Sequence, residues 1–287
     1  MKQDITELFI YIDDFCKDYK TLSVSRTLPG SSRKPTRVPC LSKSEIMTII
    51  LLFHRSPAKN FKYFYNSYLL LYKSEFPTLP SYNRFVELQQ RCLNEFSALL
   101  VTICSMAAQT GVGYIDSTPI PVCHNKRIYN HKVFKDFAKR GKSTMGWFFG
   151  FKLHLIINEN GDLLAATITP GNVDDRAPVR HMAQKLMGLL FGDKGYIDKH
   201  LFADLYEKGL KLVTGIKSKM KNKLMPIKEK ILLRKRSVIE TVNGVLKETM
   251  QISHTRHRSI INGFIHIIST LVGYTLRTKK PKIKLQF

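Results

Sequence analysis

The sequence is short of acid. Against 46 Lys and Arg it sets only 22 Asp and Glu, a formal net charge of +24 at pH 7. A surplus of that size repels itself unless a polyanion neutralises it, which favours nucleic acid as a partner ahead of an anionic membrane surface. Cysteine is also sparse: Cys16, Cys40, Cys92, Cys104 and Cys123 form an odd set with no C-x-x-C pair. That excludes a disulfide scaffold and a Cys-rich zinc site, and it suits a reducing, cytosolic setting. Long hydrophobic runs are missing. The longest, from Ile46 to Phe53, is eight residues interrupted at Thr48, whereas a membrane-spanning helix needs about 20. The apolar stretch 260–276 is broken by Asn262, Gly263, His266 and Ser269. Asp4, Glu7, Asp13 and Asp14 near the start are foreign to a signal peptide. None of the nine histidines stands in an H-E-x-x-H pattern. Apolar residues are not lacking: at 44% hydrophobic and 10% aromatic, the chain can bury one large core or two smaller ones.

The first hundred residues carry helical periodicity. Ile5, Leu8, Phe9, Ile12 and Phe15 recur at helical spacing, and Ser42-x-x-Glu45 is a capping box ahead of Ile46, Ile49, Ile50 and Phe53. Residues 21–39, with Pro29-Gly30 and basic Arg33, Lys34 and Arg37, break the pattern as a loop or hinge. An aromatic stripe follows from Phe61 to Tyr72, and Ser81 opens a long helix with Phe85, Leu88, Cys92, Phe96 and Leu99 on one side. Residues 82–91 fit either the recognition helix of a helix-turn-helix or ordinary helical core.

The pattern changes near Gly111. Val112 to Ile115 is a short strand ending at Asp116, and residues 124–142 are a polar, basic segment. Residues 147–157 and 163–169 are strands joined through Asn160-Gly161, a strong hairpin signal. Then come a helix over 177–187, a strand over 189–191 ending at Gly192-Asp193, a helix over 197–208, a strand over 210–216, a lysine-rich loop and a helix from Lys235 to about Gln251. Such an order calls for a mixed sheet with helices on its faces.

Three carboxylates hold positions suited to chemistry. Asp116 and Asp193 end strands, where α/β sheets bind ligands. Glu240 lies on a helix in a region, residues 201–287, that has 19 Lys and Arg against 5 Asp and Glu, hence 19 − 5 = +14. Arg236, Glu240, Asn243 and Lys247 fall on one face of that helix, while Ile239, Val242 and Leu246 form its apolar side. Alone, the face also fits a solvated surface with an Arg–Glu pair. Clustered carboxylates repel one another, and hard divalent cations reverse that penalty. Two such ions can activate a water or a 3′-hydroxyl in phosphodiester chemistry.

The segments Tyr114-Ile115-Asp116-Ser117-Thr118-Pro119, Phe191-Gly192-Asp193-Lys194-Gly195-Tyr196 and Arg236-x3-Glu240-x6-Lys247 resemble the bacterial insertion-sequence transposases of the DDE class. Thr169-Pro170-Gly171-Asn172-Val173-Asp174-Asp175-Arg176 and Gly150-Phe151-Lys152-Leu153-His154 belong to the same resemblance, which covers roughly residues 110 to 275. It implies an α/β fold, a ribonuclease H-like mixed sheet flanked by helices, preceded by an all-helical N-terminal domain. The corresponding division is 1–105 helical, 106–275 catalytic and 276–287 a basic tail. The implied activity is Mg²⁺-dependent cleavage and joining of the ends of its own insertion sequence. Asp116, Asp193 and Glu240 would bind two Mg²⁺ ions, with Mn²⁺ as a substitute, and Arg236 and Lys247 would contact DNA near the scissile phosphate. The partners implied are double-stranded DNA, as terminal inverted repeats and target, and a second copy on paired ends. The setting implied is cytoplasmic, at the nucleoid. Relatives carry a Tyr three residues before the Arg; that position is Leu233 here, so no role of that ring carries over.

Further DNA contacts are expected at Lys235, at Arg256 and Arg258 in a dense cationic cluster, and at Lys126, Arg127 and Arg140 in the basic segment. Asp174 and Asp175 are expected to cap and open the following helix, and the tail from Arg277 to Lys284 to be disordered. A nuclease of the same fold needs the same acids and differs by not joining ends; a non-catalytic DNA-binding protein would need no metal at all. DNA retention should fall by about 10³ to 10⁵ between roughly 50 and 200 mM salt if about 6–10 phosphates are contacted, which filter binding across a salt series checks.

Overall fold

A computed structural model describes residues 5–24, 39–144, 146–217, 220, 224–253 and 257–283. The chain divides into two compact units, residues 1–102 with 258–274, and residues 103–257 with 275–287. Among the described residues no helix is long and apolar enough to cross a membrane.

The first unit is helical. It holds α1 (Ile5–Val24), α2 (Lys43–Arg55), the single turn α3 (Phe61–Tyr63), α4 (Tyr82–Leu88), most of α5 (Leu93–Met106) and a late helix, Ile260–Thr275. The capping box at α2 forms as expected: Ser42 Oγ accepts from the Glu45 N–H, and Glu45 reaches back to the Ser42 N–H. The aromatic stripe is core. After α3 the chain widens into a π-turn, Phe64–Tyr68, and the Phe85 ring packs at 4.9 Å from Tyr65 and 5.6 Å from Phe61. On the outer side of α4, Arg84 is tied to Glu87 at 2.7 Å. The late helix, expected with the catalytic segment, packs in this unit: Asn262 Nδ2 donates to the Val86 carbonyl (3.2 Å), and His54 Nε2 lies 2.8 Å from Ser269 Oγ.

The second unit is a six-stranded mixed sheet with helices on its faces, the ribonuclease H-like arrangement. Its strands are β1 (Val112–Cys123), β2 (Lys139–Ser143), β3 (Gly146–Ile157), β4 (Leu163–Pro170), β5 (Gly188–Gly192) and β6 (Leu210–Thr214). The order is β2-β3-β1-β5-β6, with β4 continuing the β2 edge of β3. β1 is antiparallel to β3 and parallel to β5, and β5 is parallel to β6. The helices are α6 (Val179–Met182), α7 (Lys199–Glu207), α8 (Ile227–Arg234) and α9 (Ser237–Gly244), the last continued by a π-turn, Val245–Thr249. One face of the sheet buries Ile115, Ile156 and Leu190 against Val179, Met182, Leu201 and Leu205.

Several elements depart from sequence expectation. β1 does not end at Asp116 but runs to Cys123, because Pro119 and Pro121 lie where β1 pairs only with β3. A proline lacks the N–H that a second neighbour would need, so it is tolerated on such an edge. Residues 139–143, masked by their charge, form β2 against β3. The helix expected over 177–187 shrinks to Val179–Met182. Asp174 and Asp175 therefore cap no helix: Asp174 pairs with Arg176 at 2.6 Å and Asp175 with Lys152 at 2.8 Å. The helix expected from Lys235 to about Gln251 forms as α9 and its π-turn, starting at Ser237, and a further helix, α8, precedes it where the lysine-rich loop was expected to run on. The described part of the basic tail is docked, with Lys280 on Asp162 at 2.7 Å and the Ile283 N–H on the Glu159 carbonyl at 2.8 Å.

Gly188, which opens β5, has φ +98°, and a Cβ there would lie 2.3 Å from the Gly111 carbonyl oxygen. Gly188→Ala should therefore lower stability by about 1–3 kcal/mol, seen as a drop in the urea midpoint with an unchanged slope.

Candidate active site

Asp116 and Asp193 are brought level by strand register. β1 and β5 run parallel with Tyr114 opposite Phe191, their rings 5.4 Å apart. Two residues further on, the same side of each chain carries Asp116 and Asp193. β5 ends at Gly192, so the crevice between the strands opens at these two carboxylates. Space at Gly192 is tight: a Cβ there would meet the Tyr196 ring at 3.0 Å and Ile115 Cγ2 at 3.1 Å. Asp193 is exposed and oriented by the Gly195 N–H, which donates to its Oδ1 at 2.8 Å.

α9 supplies the third side. Val238, Ile239, Val242 and Asn243 are buried, and Asn243 and Arg236 reach Asp116 on β1, while Glu240 is exposed. Asn243 Nδ2 donates to Asp116 Oδ2 at 2.9 Å. Arg236 lies between two acids, with Nη2 donating to Glu240 Oε1 at 2.6 Å and Nη1 at 4.0 Å from Asp116 Oδ1. Burial pushes the Asp116 carboxyl up to about 6; Arg236 and the Ser117 N–H oppose this, while Asp193 and Glu240 add to it. The three acids thus share one electrostatic field. Lys247, on the π-turn, is half-buried; burial lowers its ammonium pKa, and Asp116 partly restores it. A π-turn in this position re-aims one residue, a common device at functional sites.

The other expected contacts are dispersed. Lys235 is exposed at the end of α8, next to Arg236. Arg258 is exposed in the helical unit, and Arg256 lies outside the described residues. Lys126 and Arg127 sit on an exposed turn, Asn125–Arg127, just past β1, and Arg140 is exposed on β2. That turn is roughly 20–30 Å along the chain from Asp116. Asp174 and Asp175 are both ion-paired, and the Arg176 side chain holds the Asp174 carboxyl well below the usual range. Asn243 shares the helix face with Arg236 and Glu240, and only the fold, by placing its amide on Asp116, gives it a role.

The groups present are of the oxygen type that a divalent cation prefers: the Asp116 carboxylate, which feels the charge of Asp193 and Glu240, and a buried Asn243 Oδ1 with no partner among the described residues. Among the described residues, however, no three His, Cys, Asp or Glu side chains stand close enough to form a ready-made cage. Arg236 holds Glu240 in its own ion pair.

Residues 106–260 match the family model described as the transposase DDE domain. The chain belongs to that family. No curated protein matches this transposase. Among solved structures, the chain is similar to one described as the crystal structure of a pre-cleavage Mos1 transpososome, at 9% identity, covering 90% of this chain and 85% of that one, with a TM-score of 0.24.

An Asp whose folded pKa is raised from 3.8 to about 6 is protonated more readily folded than unfolded. Its stabilising contribution is complete below pH ~4 and lost as pH rises through ~6, a swing of up to about 3 kcal/mol. Asp116→Asn should flatten that decline in metal-free protein, measured as urea stability across pH 4 to 7.

Proposed function

We propose that this transposase cleaves the ends of its own insertion sequence and joins them to target DNA by two-metal phosphodiester transfer. What supports the reading is the family match over residues 106–260, joined to an Asp116 that lies beside Arg236 and feels the charge of Asp193 and Glu240, in a chain of net charge +24. Asp116, Asp193 and Glu240 would hold two Mg²⁺ ions, or Mn²⁺ in their place, whose chemistry is to activate a water or 3′-hydroxyl and to stabilise the leaving oxygen. Asn243 keeps the Asp116 carboxylate in place through its amide. Arg236, once released from Glu240, and Lys247 would bind the phosphates flanking the scissile bond. Lys235, Arg256, Arg258, Lys126, Arg127 and Arg140 would extend the grip along the duplex. Terminal inverted repeats, target DNA and a second copy of the chain are the partners this reading requires.

Asp116→Asn and Glu240→Gln should each reduce Mg²⁺-dependent cleavage of element-end DNA by at least about 100-fold, the upper loss for disturbing even the outer coordination sphere, while DNA binding is retained. Full activity in either purified variant would overturn the assignment. Cleavage without joined products in a strand-transfer assay would instead identify a nuclease.

A further inference from the structure

Trp147 is the only tryptophan in the chain, and it is 54% exposed. It begins β3, whose other aromatic side chains, Phe148, Phe149 and Phe151, are all buried. The contrast has a local cause. Phe149 is covered by the His131 ring, which meets it edge-on at 6.2 Å. Trp147 lies on the same side of the strand two residues earlier, beyond that cover.

The indole is attended by cations. Lys142 stands directly opposite Trp147 in the β2–β3 pair, and Arg140 lies two pairs further along, opposite Phe149. The Arg140 guanidinium is 5.4 Å and the Lys142 ammonium 5.9 Å from the ring centroid. Both side chains are exposed. Across residues 124–147 there are seven Lys and Arg and one acid, Asp136. The base of the hairpin is rigid: a Cβ on Gly141 would lie 2.1 Å from the Gly171 carbonyl oxygen, so β2 is pressed against the Pro170–Gly171 turn. The Trp147 carbonyl is held by Asn125 Nδ2 at 2.7 Å.

We propose that Trp147 is a stacking platform for an unpaired nucleobase of the DNA substrate, with Arg140 and Lys142 taking the phosphates on either side. Proteins that hold single-stranded nucleic acid combine a cationic track with aromatic rings on which bases stack. An intact duplex offers no free base face along its length, so the platform takes a base at a strand end or one swung out of the helix. A face so rich in cations matches a polyanion and repels a second copy of the same basic hairpin. The inference deepens the DNA-binding part of the proposed function and rests on it.

The single tryptophan makes the test direct. Full-length protein is titrated with blunt DNA duplex and with the same duplex carrying a short oligo-dT tail, following tryptophan emission and, in parallel, the anisotropy of labelled DNA. Tailed DNA should quench Trp147 emission and shield it from acrylamide, and blunt duplex should do so far less. Trp147→Ala should weaken tailed-DNA binding by about 5- to 100-fold and blunt-duplex binding by less than about twofold, and Trp147→Phe should restore most of the difference. Binding by anisotropy with unchanged Trp147 emission and shielding would overturn the stacking site while leaving DNA binding intact. Failure of both DNAs to bind would overturn both readings. An emission change that follows protein concentration instead of DNA would point to a contact between copies and overturn the proposal.

Discussion

The register between β1 and β5 is the constraint from which the candidate site follows. Tyr114 and Phe191 stack across the parallel pair, and that contact sets which residues emerge level where β5 ends. Two carboxylates emerge there, one half-buried on a strand that continues and one exposed on a turn that begins. A slip of one residue would send either acid to the opposite face of the sheet. The small Gly192 and the Tyr196 ring folded against it keep the chain on course immediately before Asp193.

Placing carboxylates together is unfavourable, and the second unit offsets the cost with one guanidinium and one amide. Arg236 stands between Asp116 and Glu240, and Asn243 holds the other Asp116 oxygen. The arginine thereby does for two of the acids what a bound cation would do for all three. A cation arriving at the site would compete with Arg236 for Glu240 and free the guanidinium for phosphate. On the proposed reading, metal binding and grip on DNA would be linked through that one side chain.

Much of this was legible beforehand because it rests on local pattern. The Ser42 capping box, the Asn160-Gly161 hairpin and the apolar side of the Glu240 helix each follow from a few adjacent residues. The three acids could be singled out because acid is scarce in a basic chain, and two of them, Asp116 and Asp193, follow the paired Tyr114 and Phe191 on neighbouring strands. What stayed hidden depends on tertiary pairing. The extension of β1 past Asp116 reflects an edge on which Pro119 and Pro121 are tolerated, and no local signal announces such an edge. β2 reads as a charged loop because its partner β3 supplies the reason for its extended form. Asp174 and Asp175 looked like helix-capping residues and turned out to be held by Arg176 and Lys152 instead. The late helix 260–275 carried no mark of which unit it would join. Trp147 drew no notice in the sequence, because only burial of its neighbours makes its exposure informative.

The most direct measurement is a calorimetric titration of full-length, metal-free protein with Mn²⁺ near pH 6, run beside Asp193→Asn and with proton release followed in parallel. Ligand deprotonation accompanies metal binding at such sites, and Asp116 is half-protonated near that pH. Saturable binding with proton uptake by the buffer in the wild type, lost in the variant, is the outcome expected if the three acids form a cation site. Identical isotherms for the two proteins would contradict it.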